Sequence, residues 1–170
     1  MKVQDAAKRL RRMSWYVLGV LALLLYFFVF RRFGIPVLDH PGMQAVPSIL
    51  VPGQRHLIDR KPPMVLKRDW VVLFKGRDGG VAFSRVRGLP GETLTIVKNK
   101  LILLDRKGKA IPLPSELDPR SFHVFGRIPE GNYFLLNEDL KVPFADSRKL
   151  GWIRRRQVLF RVLFALGKGE

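Results

Sequence analysis

The stretch "GMQAVPSILVPGQRHLIDR", residues 42–60, has the outline of a catalytic loop. Pro47, Pro52 and Gly53 constrain the chain before it passes into the β-rich run "RHLID". Ser48 is its hydroxyl, and a hydroxyl becomes a nucleophile only with a general base in hydrogen-bond reach. Lys67 and Lys75, downstream, are the bases available to it. Other groupings offer less chemistry. His40, His56 and His123 lack metal-ligand spacing, so no metal is expected. Glu138 and Asp139 are adjacent, and adjacent strand residues point to opposite faces, so they read as a solvated loop. Arg154, Arg155 and Arg156 form a basic cluster beside "SRK". With no cysteine in the chain, disulfides, thiolate catalysis and Cys-ligated metals are excluded. No glycine loop of the phosphate-binding kind is present, and no cofactor is expected.

Two kinds of element must position these residues. Residues 13–30, "MSWYVLGVLALLLYFFVF", carry no charge and are bounded by Arg11-Arg12 and Arg31-Arg32. At 1.5 Å per residue this run is about 27 Å long, close to the thickness of a bilayer core. Trp15, Tyr16 and Tyr26 near its ends suit the interfacial belt. The run is long for a cleaved leader, and "FFVFRRFG" has no small-x-small cleavage site. A single transmembrane helix is therefore predicted over 13–30, behind a basic N-terminus of residues 1–12. Five Lys/Arg precede the helix and two follow it, so the N-terminus is expected on the cytoplasmic side of the inner membrane. The domain 33–170 then lies outside the cytoplasm, which in a bacterium is the periplasmic side.

After the helix, short β-rich runs alternate with turn signals. The runs are "RHLID", "DWVVLF", "GVAFSRVRGL", "ETLTIV", "KLILLD", "FHVFGRI", "NYFLLN" and "RQVLFRVLF"; the turns include "KPP", "GRDGG", "LPGE", "KNK", "RKGK" and "PEGN". This spacing predicts an all-β barrel or sandwich, with "DRKGKAIPLPSELDPRS" as an excursion between strands. The 170 residues carry 31 Lys/Arg against 14 Asp/Glu, a formal charge of +17, and residues 33–170 alone hold 24 against 13. A basic surface on this scale favours an anionic partner. With the domain outside the cytoplasm, lipid headgroups or an acidic protein are expected and nucleic acid is not.

In order, these pieces resemble the type I signal peptidases, membrane-anchored peptidases with a Ser nucleophile and a Lys base. "PGQRHLIDR" is similar to the family's strand after the nucleophile loop, and "KRDWVVLF" to its next box. Arg85-Val86-Arg87-Gly88-Leu89-Pro90-Gly91-Glu92 resembles the box that follows the family's lysine. Asp146-Ser147-Arg148 and Gly151 resemble its last box, where Asp146 and Arg148 are expected to pair and Ser147 to orient the loop. The resemblance implies a β-barrel-like domain seated on the membrane by an apolar edge, with "VLFRVLFAL", Trp70, Phe74 and Trp152 as edge or core candidates.

The catalytic positions implied by the resemblance are vacant. The family's loop reads Ser-Met-x-Pro-Thr-Leu-x-x-Gly-Asp; anchoring on Pro47 puts its serine at Gln44, and counting back from Gly53 puts it at Ala45. Ser48 lies three or four residues on, about 10 Å in an extended chain. The lysine that precedes Arg-Val-x-Gly-Leu-Pro-Gly is here Ser84, which cannot usefully accept a proton, and Arg85 and Arg87 stay protonated. The expected function is a catalytically inactive member, an accessory or scaffold subunit of a membrane protein complex, with an extended peptide as a further expected ligand. The alternative is an active peptidase built on Ser48.

Overall fold

The computed structural model describes residues 2–61, 64–76, 79–114, 116–143 and 145–167. The turn signals expected at residues 62–63 and 77–78 lie outside them. One helix, α1 (Lys2–Arg32), takes in both the basic N-terminus and the apolar run. Its apolar window, Met13–Arg32, has a mean hydropathy of 2.2 and is 0% buried. A soluble core helix would bury such a surface, whereas a lone helix of this length satisfies its own backbone in lipid. The helix fits a membrane-anchored protein.

Among the described residues eleven strands follow: β1 (Phe33–Gly34), β2 (Arg55–Asp59), β3 (Val71–Lys75), β4 (Val81–Gly88), β5 (Thr93–Val97), β6 (Lys100–Leu104), β7 (Ala110–Ile111), β8 (Gly126–Arg127), β9 (Asn132–Leu136), β10 (Ile153–Arg154) and β11 (Val158–Leu166). One sheet has the order β1-β2-β11-β3-β4-β9-β10 and the other β7-β6-β5-β8. The pairings are antiparallel. The fold is two packed sheets behind an apolar helix, with no closed barrel. Each β-rich run supplies a strand, though "FHVFGRI" is trimmed to two residues.

Three apolar clusters organise the layers. Val72, Phe74, Val86, Tyr133, Leu135 and Ile153 fill one face of the larger sheet. Phe83, Val71, Ile58 and Val162 fill the other, beneath Met43, Ala45, Val46 and Leu50 of the proline-rich loop. Phe134 and Leu136 join Leu94, Leu103 and Ile128 between the sheets. β9 is thus buried on both faces, which is why its sequence is a continuous apolar run instead of an alternating one. Two of the edge-or-core candidates are decided here. Phe74 is fully buried, and β11 is an interior strand between β2 and β3. Leu159 and Phe164 nevertheless keep an exposed face.

The anchor is tied into the sheet where it ends. Arg60 N–H donates to the Arg32 carbonyl at 2.8 Å, and the Arg32 guanidinium reaches Asp59 at 3.0 Å. Gly88 shows how closely the two sheets approach. A methyl group there would lie 2.6 Å from Ile128 Cδ1 and 2.7 Å from Phe134 Cβ, and the latter cannot rotate away. Gly88→Ala should therefore destabilise the fold by about 1–3 kcal/mol, lowering Tm by roughly 3–10 °C. A thermal melt of detergent-solubilised protein checks this.

Candidate functional site

β4 places the residues of interest. Its alternation turns Ala82, Ser84 and Val86 toward one apolar cluster and Phe83 toward the other. Ser84 is fully buried, and its hydroxyl donates to Asn137 Oδ1 at 2.5 Å. Asn137 follows β9, and its own N–H donates to Asp146 Oδ2 at 3.0 Å. The vacated base position is therefore a closed polar contact inside an apolar face.

The loop that packs on the Phe83 face of β4 is compact, not extended as the sequence suggested. Residues Pro41–Ala45 form a 3₁₀ turn capped by His40, whose Nδ1 accepts from Gly42 N–H at 2.9 Å. Val46 begins a second turn, closed by Leu50 N–H to the Val46 carbonyl at 3.0 Å. Proline at the start of the first turn gives up no helical hydrogen bond there. Met43, Ala45 and Val46 are fully buried, and Gln44 is exposed. The Ala45 carbonyl accepts from Glu138 N–H at 2.7 Å, tying the loop to the end of β9.

Buried Met43 adds a registration that the sequence reading missed. In the family pattern the serine immediately precedes a methionine, and Met43 is preceded by Gly42. Gly42 lies against β4: a Cβ there would be 3.8 Å from Phe83 N, one residue from Ser84. His40 Nδ1 would be 2.9 Å from that same Cβ, so the imidazole occupies the space of a side chain at 42. Gly42, Gln44 and Ala45 all lack a nucleophilic atom.

Ser48 has other partners than those expected of it. Its hydroxyl donates to Glu138 Oε1 at 2.7 Å, its N–H donates to Oε2 at 3.1 Å, and Arg85 donates to its Oγ at 2.9 Å. Arg85 Nε also reaches Glu138 at 2.6 Å, and its Nη1 donates to the Asp69 carbonyl at 2.6 Å. Among the described residues no lysine amine bonds to Ser48. Lys75 is four residues along β3 from Val71, the partner of Arg85, a separation of about 13 Å. Lys67 is exposed, and its carbonyl accepts from Trp70 N–H. Glu138 is thus no solvated bystander. Its distance in sequence from Ser48 and Arg85 hid the cluster.

Burial alone would raise the Glu138 carboxyl, but hydrogen bonds from Ser48 and Arg85, with the charge of that guanidinium, hold it below the ordinary Glu value. A carboxylate held low is a weak base, and Arg85 uses a lone pair of the hydroxyl that would have to attack. The cluster works as a strut between the loop and β4.

The remaining motif residues hold the frame. Asp146 caps the short helix α2 (Ser147–Leu150), accepting from Arg148 N–H at 2.9 Å and pairing with Arg148 Nε at 3.0 Å. Ser147 Oγ accepts from Leu135 N–H at 2.9 Å, holding α2 to β9. Gly151 ends α2 at φ 72°, where a side chain would be strained. The turn Leu89–Pro90–Gly91 is braced by Glu92, which accepts from Leu89 N–H at 2.8 Å and pairs with Arg68. Pro47 and Gly53 stand in the exposed parts of the loop. Arg154 and Arg156 are exposed, while Arg155 turns its guanidinium toward the Val158 carbonyl at 3.5 Å.

Comparison with known proteins places this geometry. The family model described as signal peptidase, peptidase S26, matches residues 12–166. Signal peptidase I V of Bacillus subtilis (strain 168) is 28% identical over 170 residues, covering 88% of this chain and 96% of that protein. Among solved structures, a signal peptidase I from Enterococcus faecalis V583 matches with a TM-score of 0.40 at 23% identity, covering 63% of this chain and 98% of that one.

The strut has a pH signature. The folded Glu138 value lies below the ordinary 4.5. Its contribution to stability is therefore present above that value and is lost as pH falls through the lower, folded one. Glu138→Gln should cost about 1–2 kcal/mol at pH 7, with the deficit shrinking as the medium is taken below the ordinary Glu value. Paired melting curves of the two proteins across pH give the test; a deficit that is constant with pH contradicts the assignment.

Proposed function

The chain belongs to the signal peptidase family, peptidase S26, and from that premise we propose that it is a member without peptidase chemistry, an accessory or scaffold subunit of a membrane protein complex. The observation that carries this reading is the pair of vacated positions. Ser84 stands where the resemblance calls for a lysine base, with its hydroxyl bonded to Asn137. Gly42, Gln44 and Ala45 are the residues on which the family's serine can be registered, and none carries a nucleophilic atom. Position 84 is fully buried, the environment that would lower a lysine's pKa, but no amine is there to use it. Loss of both partners of a nucleophile–base unit leaves no step by which an acyl-enzyme forms.

In this reading residues 1–12 are cytoplasmic, residues 13–30 cross the inner membrane, and residues 33–170 form the domain outside. The excess of Lys/Arg before the helix supports this orientation. An extended peptide, held by strand addition, is a further ligand in this reading. Arg154, Arg155 and Arg156 add a basic edge for headgroups or an acidic partner.

A second reading is active hydrolysis at Ser48, favoured by the 2.7 Å contact of its Oγ with Glu138. The low Glu138 value and the bond from Arg85 count against it.

Two measurements separate these readings. Purified full-length protein in detergent should leave a secretory precursor uncut, and Ser48→Ala should change nothing; cleavage abolished by Ser48→Ala would establish the second reading. For topology, protease added to intact spheroplasts should digest the domain from about Phe33 onward. Digestion only after lysis means that the domain faces the cytoplasm.

A further inference from the structure

At the β9–β10 end of the larger sheet, three separate segments bring unmatched cations to one concavity. The 3₁₀ turn Pro119–Ser121, capped by Asp118, presents Arg120. The turn after β9 presents Lys141, and α2 presents Lys149. With His123 and the Asp146–Arg148 pair they line a cavity of about 490 Å³. A second hollow of about 410 Å³ shares His123 and Lys149 and extends the trough toward Arg154.

The charge of this trough is not spoken for. Four arginines elsewhere have carboxylate partners: Arg32 has Asp59, Arg68 has Glu92, Arg85 has Glu138 and Arg87 has Asp69. Among the described residues Arg120, Lys141 and Lys149 have none. The carboxylate that lines the trough, Asp146, is buried and engaged by Arg148 and by the Asn137 N–H. Lys149 Nζ finds only the Pro143 carbonyl, at 3.4 Å. Asp118 and Asp139 accept from the backbone N–H groups of Arg120 and Lys141 and pair with neither side chain; the three like charges repel one another, and an anionic ligand relieves that repulsion.

We propose that this trough is a docking site for an acidic peptide segment of a partner protein. The occupant is a peptide and not the bilayer because the cations line a concavity, which side chains can enter and a flat headgroup surface cannot. The anchor enters the sheet at β1, and β9 is five strand spacings away, about 24 Å across the sheet. The concavity suits carboxylate side chains entering between rigid walls, each wall fixed by a capped turn or helix. The site is separate from the vacated catalytic positions and does not depend on whether the chain cleaves peptides.

The test uses full-length protein in neutral detergent micelles and a fluorescent peptide of alternating Glu and Ala, read by anisotropy. Saturable binding that weakens as salt is raised is expected. Arg120→Gln, Lys141→Gln and Lys149→Gln together should raise Kd about tenfold at low salt. A matched control, Lys75→Gln, Lys98→Gln and Lys100→Gln, removes the same exposed charge from other surfaces and should change Kd by less than about twofold. All six side chains are exposed, so both variants should melt like the parent. Equal loss in the two triple variants would make the binding diffuse and sink the proposal, as would no saturable binding to the parent. Phosphatidylglycerol vesicles that displace the peptide from the parent but do not bind the trough variant would reassign the site to lipid.

Discussion

The alternation of β4 is the constraint on which the rest of the architecture depends. An eight-residue strand in the middle of a twisted sheet must send successive side chains to opposite faces. Here one face closes over Ala82, Ser84 and Val86, and the other supports the proline-rich loop through Phe83. A one-residue slip would bury Arg85 and expose Val86, so the register is fixed by burial. Fixing that register also fixes what the loop can meet. Gly42 lies over the Phe83 backbone, Ser48 meets Arg85, and Ser84 looks inward to Asn137. The placement of the loop against β4 is thus a consequence of core packing.

Polar groups buried by that packing are joined in one chain of satisfied contacts. Ser84 donates to Asn137, Asn137 donates to Asp146, Asp146 caps and pairs with Arg148, and Arg148 donates to the Leu140 carbonyl at 2.9 Å. Each link would be expensive to leave unmade in an apolar interior. A lysine at 84 would bring an amine into this environment and remove the hydroxyl that Asn137 now accepts from. The surroundings of position 84 suit a neutral, short side chain.

The strands that bury residues were legible in the sequence because their period is written in side-chain type. "VAFSRVRG" alternates, and "NYFLL" is apolar throughout because it is covered on both faces. β1, β7 and β10 were not legible, since two residues carry no period. The loop was misread as extended because Pro47 and Pro52 signal turns without saying which, and the 3₁₀ turn is set by His40 capping and by burial of Met43. Gly42 had a signal, the methionine that follows it, which was outweighed by the prolines. Ser48, Arg85 and Glu138 had none: the contacts join residues 90 and 53 apart in sequence, and only the pairing of β4 with β9 unites them.

Acidic residues are scarce in this chain, and the fold assigns several of them with care. Asp59 receives the end of the anchor, Glu92 braces the turn at Pro90, Glu138 secures the loop, and Asp146 caps α2. All four are at least partly buried, where an ion pair is stabilising only if its hydrogen bonds are complete. Arg161 shows the alternative when no carboxylate is free to bond it. Its guanidinium stacks on Trp70 at 3.5 Å, its Nε has no hydrogen-bond partner, and burial lowers its pKa while the charge of Asp59 works the other way. Acids are placed where folding requires a counter-charge, and aromatic faces serve where none is available. The basic excess is therefore what remains on the surface after the interior has been neutralised.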